Sequence, residues 1–163
     1  MLTEFTTFDE IRAVLGVSDE ELEDATLLLP LYEKALKLDL ETVGAGLVAQ
    51  FRTVSAVAYG SRTADQQTFF DLVRLFSAYA VAMPLLTSLP YFAEFRIQDG
   101  WAQKERIADP FDKTREGVIA GFTAFRLKLS AAYTAIVGGT AVSRVTRTLA
   151  VGTGLTLDPV TNT

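Results

Sequence analysis

The side chains of this chain that could do chemistry are almost all carboxylates. Asp19, Glu20, Glu21, Glu23 and Asp24 lie within six consecutive positions. Hard cations such as Ca²⁺ or Mg²⁺ prefer oxygen ligands of this kind. The run lacks the glycine-containing loop spacing of a calcium site, however, and it sits at a helix start, where acids already stabilise the dipole. No specific metal site or cofactor is expected there, and nothing marks a glycosidase-like carboxylate pair. The chain of 163 residues contains no Cys and no His. Disulfides, thiolate chemistry, Cys/His zinc sites and any triad with an imidazole base are therefore excluded. Gly44-Ala45-Gly46 and Gly152-Thr153-Gly154 lack the remainder of any phosphate-binding fingerprint. The expectation is a protein that is not an enzyme.

Charge narrows the partners. Residues 1–41 hold eleven acids against three bases, and residues 42–163 hold nine acids against twelve bases, for a net charge of −5 overall. An acidic end and a mildly basic body can attract one another between subunits, or the acids can simply line solvated faces. No basic cluster exists to grip nucleic acid without regard to sequence. Phe8 to Leu22, with Gly16 between two helical patterns, superficially matches a helix-turn-helix, but its second helix would present five acids to phosphates. The apolar fraction of 49% and mean hydropathy of +0.24 suffice for a core and suggest that part of the surface is covered by a partner.

The elements that must position these residues are mostly helices. Thr7-Phe8-Asp9-Glu10 fits a capping box, followed by Ile11, Val14 and Leu15 and a stop at Gly16. Ser18-Asp19-Glu20-Glu21 fits a second box, opening a segment with Leu22, Ala25, Leu28 and Leu29 in helical register. Pro30 kinks or interrupts it, and the pattern resumes through Leu31, Ala35 and Leu38, as one bent helix or two. Val48, Phe51, Val54 (or Ser55) and Ala58 give a moderate stripe after Gly46. Thr63-Ala64-Asp65-Gln66 is a third box, ahead of the clearest stripe: Phe69, Leu72, Val73, Phe76, Ala80 and Met83. Leu75 to Ala93 is nineteen residues without a charge, long enough for a bilayer. Its prolines, Pro84 and Pro90, and the lack of a flanking basic bias favour a buried helix ending near them, and no membrane association is expected. Nor do residues 1–7 carry the basic stretch and apolar run of a secretory signal.

Beyond Pro90 the period changes. Phe95 to Ile107 reads as a short β-hairpin turning at Asp99-Gly100. Trp101 follows the turn, either as an exposed contact anchor or folded back onto the protein. Asp109-Pro110 opens a further helix with Val118, Phe122, Phe125, Leu129, Ala132 and Ile136 at alternating spacings of four and three, suited to packing along another long helix. Gly138-Gly139 ends it. Ala141 to Val151 is a short helix or a strand. Residues 152–163, with Leu155, Leu157 and Val160 among polar residues and Asp158-Pro159, form an extended tail that adds itself to a neighbour or frays. The expected architecture is mainly α: a bundle of four to five helices over residues 1–151, with one hairpin at about 95–107 and a C-terminal tail.

Residues Phe8-Asp9-Glu10-Ile11-Arg12-Ala13-Val14-Leu15-Gly16-Val17-Ser18-Asp19-Glu20-Glu21-Leu22 are similar to the opening of head–tail connector proteins of tailed bacteriophages, where a short helix ending in Leu-Gly-Val leads to an acidic helix start and a bundle. The hairpin and long helix of Phe95 to Ile136 resemble the adaptor beneath a phage portal. The resemblance implies a structural virion protein at the neck, made in the host bacterial cytoplasm. About twelve copies would form a ring around the DNA channel, joining portal to a downstream tail or neck protein and letting DNA pass without specific binding. It implies portal docking by Leu155, Leu157, Asp158, Pro159 and Val160, contacts at Asp99, Gly100 and Trp101, and an acidic channel or inter-subunit face at Asp19 to Asp24. Two other readings compete: a different oligomeric structural or scaffold protein, and a small-molecule-binding bundle with a pocket between the Phe69 and Phe122 stripes.

Overall fold

Two of the three helix-start signals form in full. Thr7 Oγ1 accepts the Glu10 amide at 3.2 Å while the Glu10 carboxylate accepts the Thr7 amide at 2.9 Å, opening α1 (Phe8–Leu15). Gly16 closes α1 at φ +70°, its amide reaching the Arg12 carbonyl, a conformation that glycine adopts without strain. The structure is a computed structural model that describes residues 1–86 and 112–138. Among them the chain is mainly helical, with no strand.

The second box forms only by half. The Glu21 carboxylate accepts both the amide and the hydroxyl of Ser18, at 2.8 and 3.0 Å. The hydroxyl thus donates to the Glu21 side chain. The Leu22 carbonyl is taken by Arg12, and the Thr26 amide turns to Glu23 instead. Residues 19–22 are therefore a turn rather than the start of the expected helix. The helical run is reduced to the single turn of α2 (Asp24–Leu27), with Leu22 and Leu27 buried but Ala25, Leu28 and Leu29 exposed. Pro30 then occupies the first position of a new helix, α3 (Pro30–Val43), where its missing amide costs nothing. Residues 24–43 hold two helices, and the described residues contain six in all, one more than the four to five expected.

The expected core face of α3 is also corrected. Leu36, Leu40 and Val43 are buried, whereas Leu31 and Leu38 are exposed. This helix carries two apolar rows. Restarting at Pro30 aims the Leu36 row at the centre. The turn at Gly44–Gly46 leads into α4 (Leu47–Ser55). A 3-10 turn at Tyr59–Ser61 follows, and Thr63 and Gln66 exchange both bonds of the third box to open α5 (Ala64–Leu85).

Helix α5 is the hub. It packs along most of α6 (Asp112–Val137) and touches α1, α3 and α4. Phe69, Val73, Phe76 and Ala80 of its stripe are buried, with Leu72 and Met83 half-buried. Each large apolar side chain taken from water this way contributes about 1.5–3 kcal/mol. Length and composition alone would let α5 cross a membrane, but half of its apolar window is buried inside the protein. Aromatic rings link the helices: Phe5 to Phe51 at 5.3 Å, Phe51 to Phe70 at 5.2 Å, Phe76 to Phe122 at 5.2 Å and Tyr79 to Phe125 at 5.1 Å. The α5 and α6 stripes meet ring to ring here, where a ligand pocket was one expectation.

Two glycines receive tyrosines. A Cβ on Gly121 would lie 2.2 Å from a Tyr79 ring carbon, and one on Gly44 would lie 2.4 Å from the Tyr133 ring. The Tyr133 hydroxyl donates to the Ala45 carbonyl at 2.5 Å. The Gly44-Ala45-Gly46 run is thus a seat for an α6 tyrosine. Gly138, at φ +65° with its amide on the Thr134 carbonyl, ends α6 as the sequence predicts.

Candidate functional site

The acidic turn is built on a buried arginine. Arg12, the one basic side chain in residues 1–33, projects from α1 and is only 8% exposed. Its Nε and Nη2 donate to the Leu22 carbonyl at 2.9 and 2.8 Å. Nη1 donates to Asp9 at 3.2 Å, and Nη2 also reaches Asp24. The fork geometry of guanidinium suits this convergence of acceptors. Hydrogen bonding to Asp24 favours the protonated guanidinium; burial opposes it and Asp9 adds to it. Leu22, itself buried, plugs the loop beneath. The loop is closed at both ends, and Asp19, Glu20 and Glu23 are left pointing into solvent without an ion pair among the described residues. Glu21 is half-buried on Ser18, and Asp24 is exposed but tied to Arg12.

Glu10 fastens the other side of α1. Its carboxylate takes the Thr7 amide, the Thr6 hydroxyl at 2.8 Å and the Arg74 guanidinium of α5 at 2.8 Å. Burial pushes its pKa up, but these three donors outweigh that and hold it below the ordinary value of 4.5. Beside this ion pair runs an open groove of about 290 Å³ between α1 and α5, floored by Ala13, Val14, Leu75, Ala78 and Tyr79.

Following the acidic turn in the chain, four leucines stand in water. Leu28 is 63% exposed, Leu29 50%, Leu31 68% and Leu38 69%. Leu31 and Leu38 are seven residues apart on one face of α3, a separation of about 10 Å along the helix. Single exposed leucines are ordinary; here four fall within eleven residues, with exposed Lys34 between Leu31 and Leu38 on their face of α3.

Among the described residues no group of three acidic side chains could hold a metal ion. The five acids are spread over the turn at residues 19–22 and the start of α2. The other predicted contact residues, Asp99, Gly100 and Trp101 of the hairpin and Leu155, Leu157, Asp158, Pro159 and Val160 of the tail, lie outside the described residues, as do Asp109-Pro110 and Ala141 to Val151. Sequence reasoning missed Arg12, although a lone base amid acids was a usable signal. It also missed the leucine row, having assigned Leu28, Leu29, Leu31 and Leu38 to the helical core pattern. Comparison with family models, curated proteins and solved structures finds no match for the chain.

Proposed function

We propose that this chain is a structural, non-catalytic subunit of a phage-type head–tail connector, working as a ring of identical copies at the virion neck. The observation that carries the reading is the exposure of Leu28, Leu29, Leu31 and Leu38, which follow the Arg12-clamped acidic turn in the chain. Such a surface gains about 25 cal/mol for each Å² of apolar area removed from water, which is what repeated lateral docking needs. The similarity of residues 8–22 to connector openings supports the specific assignment. In this reading the acids of residues 19–24 line an inter-subunit or channel face. The hairpin around Asp99, Gly100 and Trp101 and the tail from Leu155 to Val160 make the axial contacts, with a portal protein on one side and a tail or neck protein on the other. DNA passes through a ring of about twelve copies unbound, and no cofactor or membrane takes part. That copy number comes from the family resemblance alone.

The test is mass photometry and negative-stain imaging of the full chain, alone and with the portal protein encoded in the same genome. An annular multimer with an open centre, free or seated on the portal, is expected. A monomer under both conditions, or a genome without a portal protein, contradicts the reading.

A further inference from the structure

We infer that α3 pairs with the same helix of a second copy of this chain, antiparallel across a two-fold axis beside Leu38. The inference goes beyond the connector reading, because it concerns the chain before it joins a ring. Leu31, Lys34, Leu38, Glu41 and Thr42 are all exposed. At 3.6 residues per turn they share about 100° of the helix surface. The buried row of Leu36, Leu40 and Val43 lies opposite. The remaining charges of α3 lie off this face. Glu33 and Lys37 bond to each other at 2.6 Å, both half-buried, and Asp39 is half-buried on the flank next to Val43.

The two charges on the face complement each other only between copies. Lys34 takes part in no ion pair among the described residues. Lys34 and Glu41 are seven positions apart, about 10 Å along the axis, with Leu38 between them. Ion-paired residues of one helix stand three or four apart, so these two do not meet within a chain. An antiparallel copy reverses the order. With the axis midway between positions 34 and 41, each Lys34 faces the Glu41 of the other copy, and the two copies of Leu38 meet at the axis. Both charges lie on the same flank of Leu38, so a two-fold rotation brings them to the same side of the contact. Glu41 is held in place, its carboxylate accepting the Gly46 amide at 2.8 Å and the Val48 amide at 3.4 Å. A carboxylate has about four acceptor positions, which leaves room for an ammonium. The face is neutral in sum, so two copies of it do not repel. A face that complements itself makes an isologous pair. One helix pair is small against the roughly 800 Å² that each partner buries in a standard interface, so the pair is weak and exchanges readily. It shields Leu31 and Leu38 from water until a ring takes them up.

The chain has no cysteine, so Leu38→Cys and Leu31→Cys each introduce a single thiol, at sites of similar exposure, 69% and 68%. Helices packed about 8–10 Å apart bring facing Cα atoms to about 4–5 Å, within reach of a disulfide. The two copies of residue 31 would stand about 20 Å apart. Thermal melts equal to that of the wild type establish that each variant is folded. In a glutathione redox buffer, Leu38→Cys should give a disulfide-linked dimer and Leu31→Cys should not. Sedimentation equilibrium of the wild-type chain should show monomer and dimer in exchange. Lys34→Glu turns both ion pairs repulsive and should weaken the dimer by about tenfold. Equal disulfide yields from the two sites, a monomer at every concentration, or a Lys34→Glu protein that pairs as tightly as the wild type overturns the inference. Where the free chain forms annuli, the disulfide comparison alone decides. Rings on the portal protein built from a chain that never pairs leave the connector reading standing. Pairs that never seat on the portal overturn that reading and leave this inference in place.

Discussion

Helices α1 and α6 both bury apolar residues against the same hub, Ile11 and Leu15 from one and Val118 and Leu129 from the other, but they differ in what else fastens them. Helix α1 has eight residues and is fastened by polar locks at both ends: the Thr7–Glu10 box with Arg74 at its start, and Arg12 on Leu22, Asp9 and Asp24 beyond it. Helix α6 has 26 residues and is held by ring contacts and two tyrosine–glycine seats. Polar locks fix one geometry and leave the chain around them nothing to spare. Apolar seats along one side of a long helix leave its other side bare.

The comparison breaks most severely at the hub itself. Phe76→Ala removes the ring that meets Phe122 and should destabilise the protein by about 3–5 kcal/mol, read by urea unfolding, with amide exchange in α6 accelerated more than in α1. Gly121→Ala comes next. The new methyl would collide with Tyr79, and overpacking of this sort costs about 1–3 kcal/mol, partly offset by better helix propensity. Exchange protection should fall along α5 and α6 while the Arg12 loop is unaffected. Tyr133→Phe keeps the ring on Gly44 but removes the hydroxyl bond to Ala45, for an expected loss of about 1 kcal/mol. An unchanged stability there would mean that the ring, not the hydroxyl, makes the seat.

The smallest effect concerns protonation. The Glu10 carboxyl has its pKa lowered in the folded protein. Its contribution to stability is therefore complete above the unfolded value and is lost as pH falls through the lower, folded value. The melting temperature should decline as pH drops below the ordinary 4.5, and Glu10→Gln should flatten that part of the curve. The pair is partly exposed, so the change should be small. An identical acid limb in both proteins would show that the lock on α1 does not depend on the charge.

What was legible in the sequence was local. The Thr7–Glu10 and Thr63–Gln66 boxes span four residues each, and the stripe of α5 is set by its own periodicity, so both could be read directly. The half-formed Ser18 box was misread because a carboxylate can take the hydroxyl as well as the amide, and because Arg12 removes the Leu22 carbonyl from ten residues away. The core face of α3 was ambiguous because Leu31 and Leu38 are as apolar as Leu36 and Leu40, and only tertiary packing chooses between rows. The meaning of Gly44 depends on Tyr133, whose hydroxyl bonds to Ala45 across 88 positions, a relation no local pattern records.

The exposed leucine row is the feature on which the functional account turns, and Leu38→Glu probes it without touching the core. Mass photometry of the wild-type chain and of Leu38→Glu, each alone and with the portal protein, is the direct measurement. The account predicts closed multimers for the wild type and isolated subunits for the variant, at equal melting temperature. Equal assembly of both proteins, or none by the wild type under any condition, would contradict it.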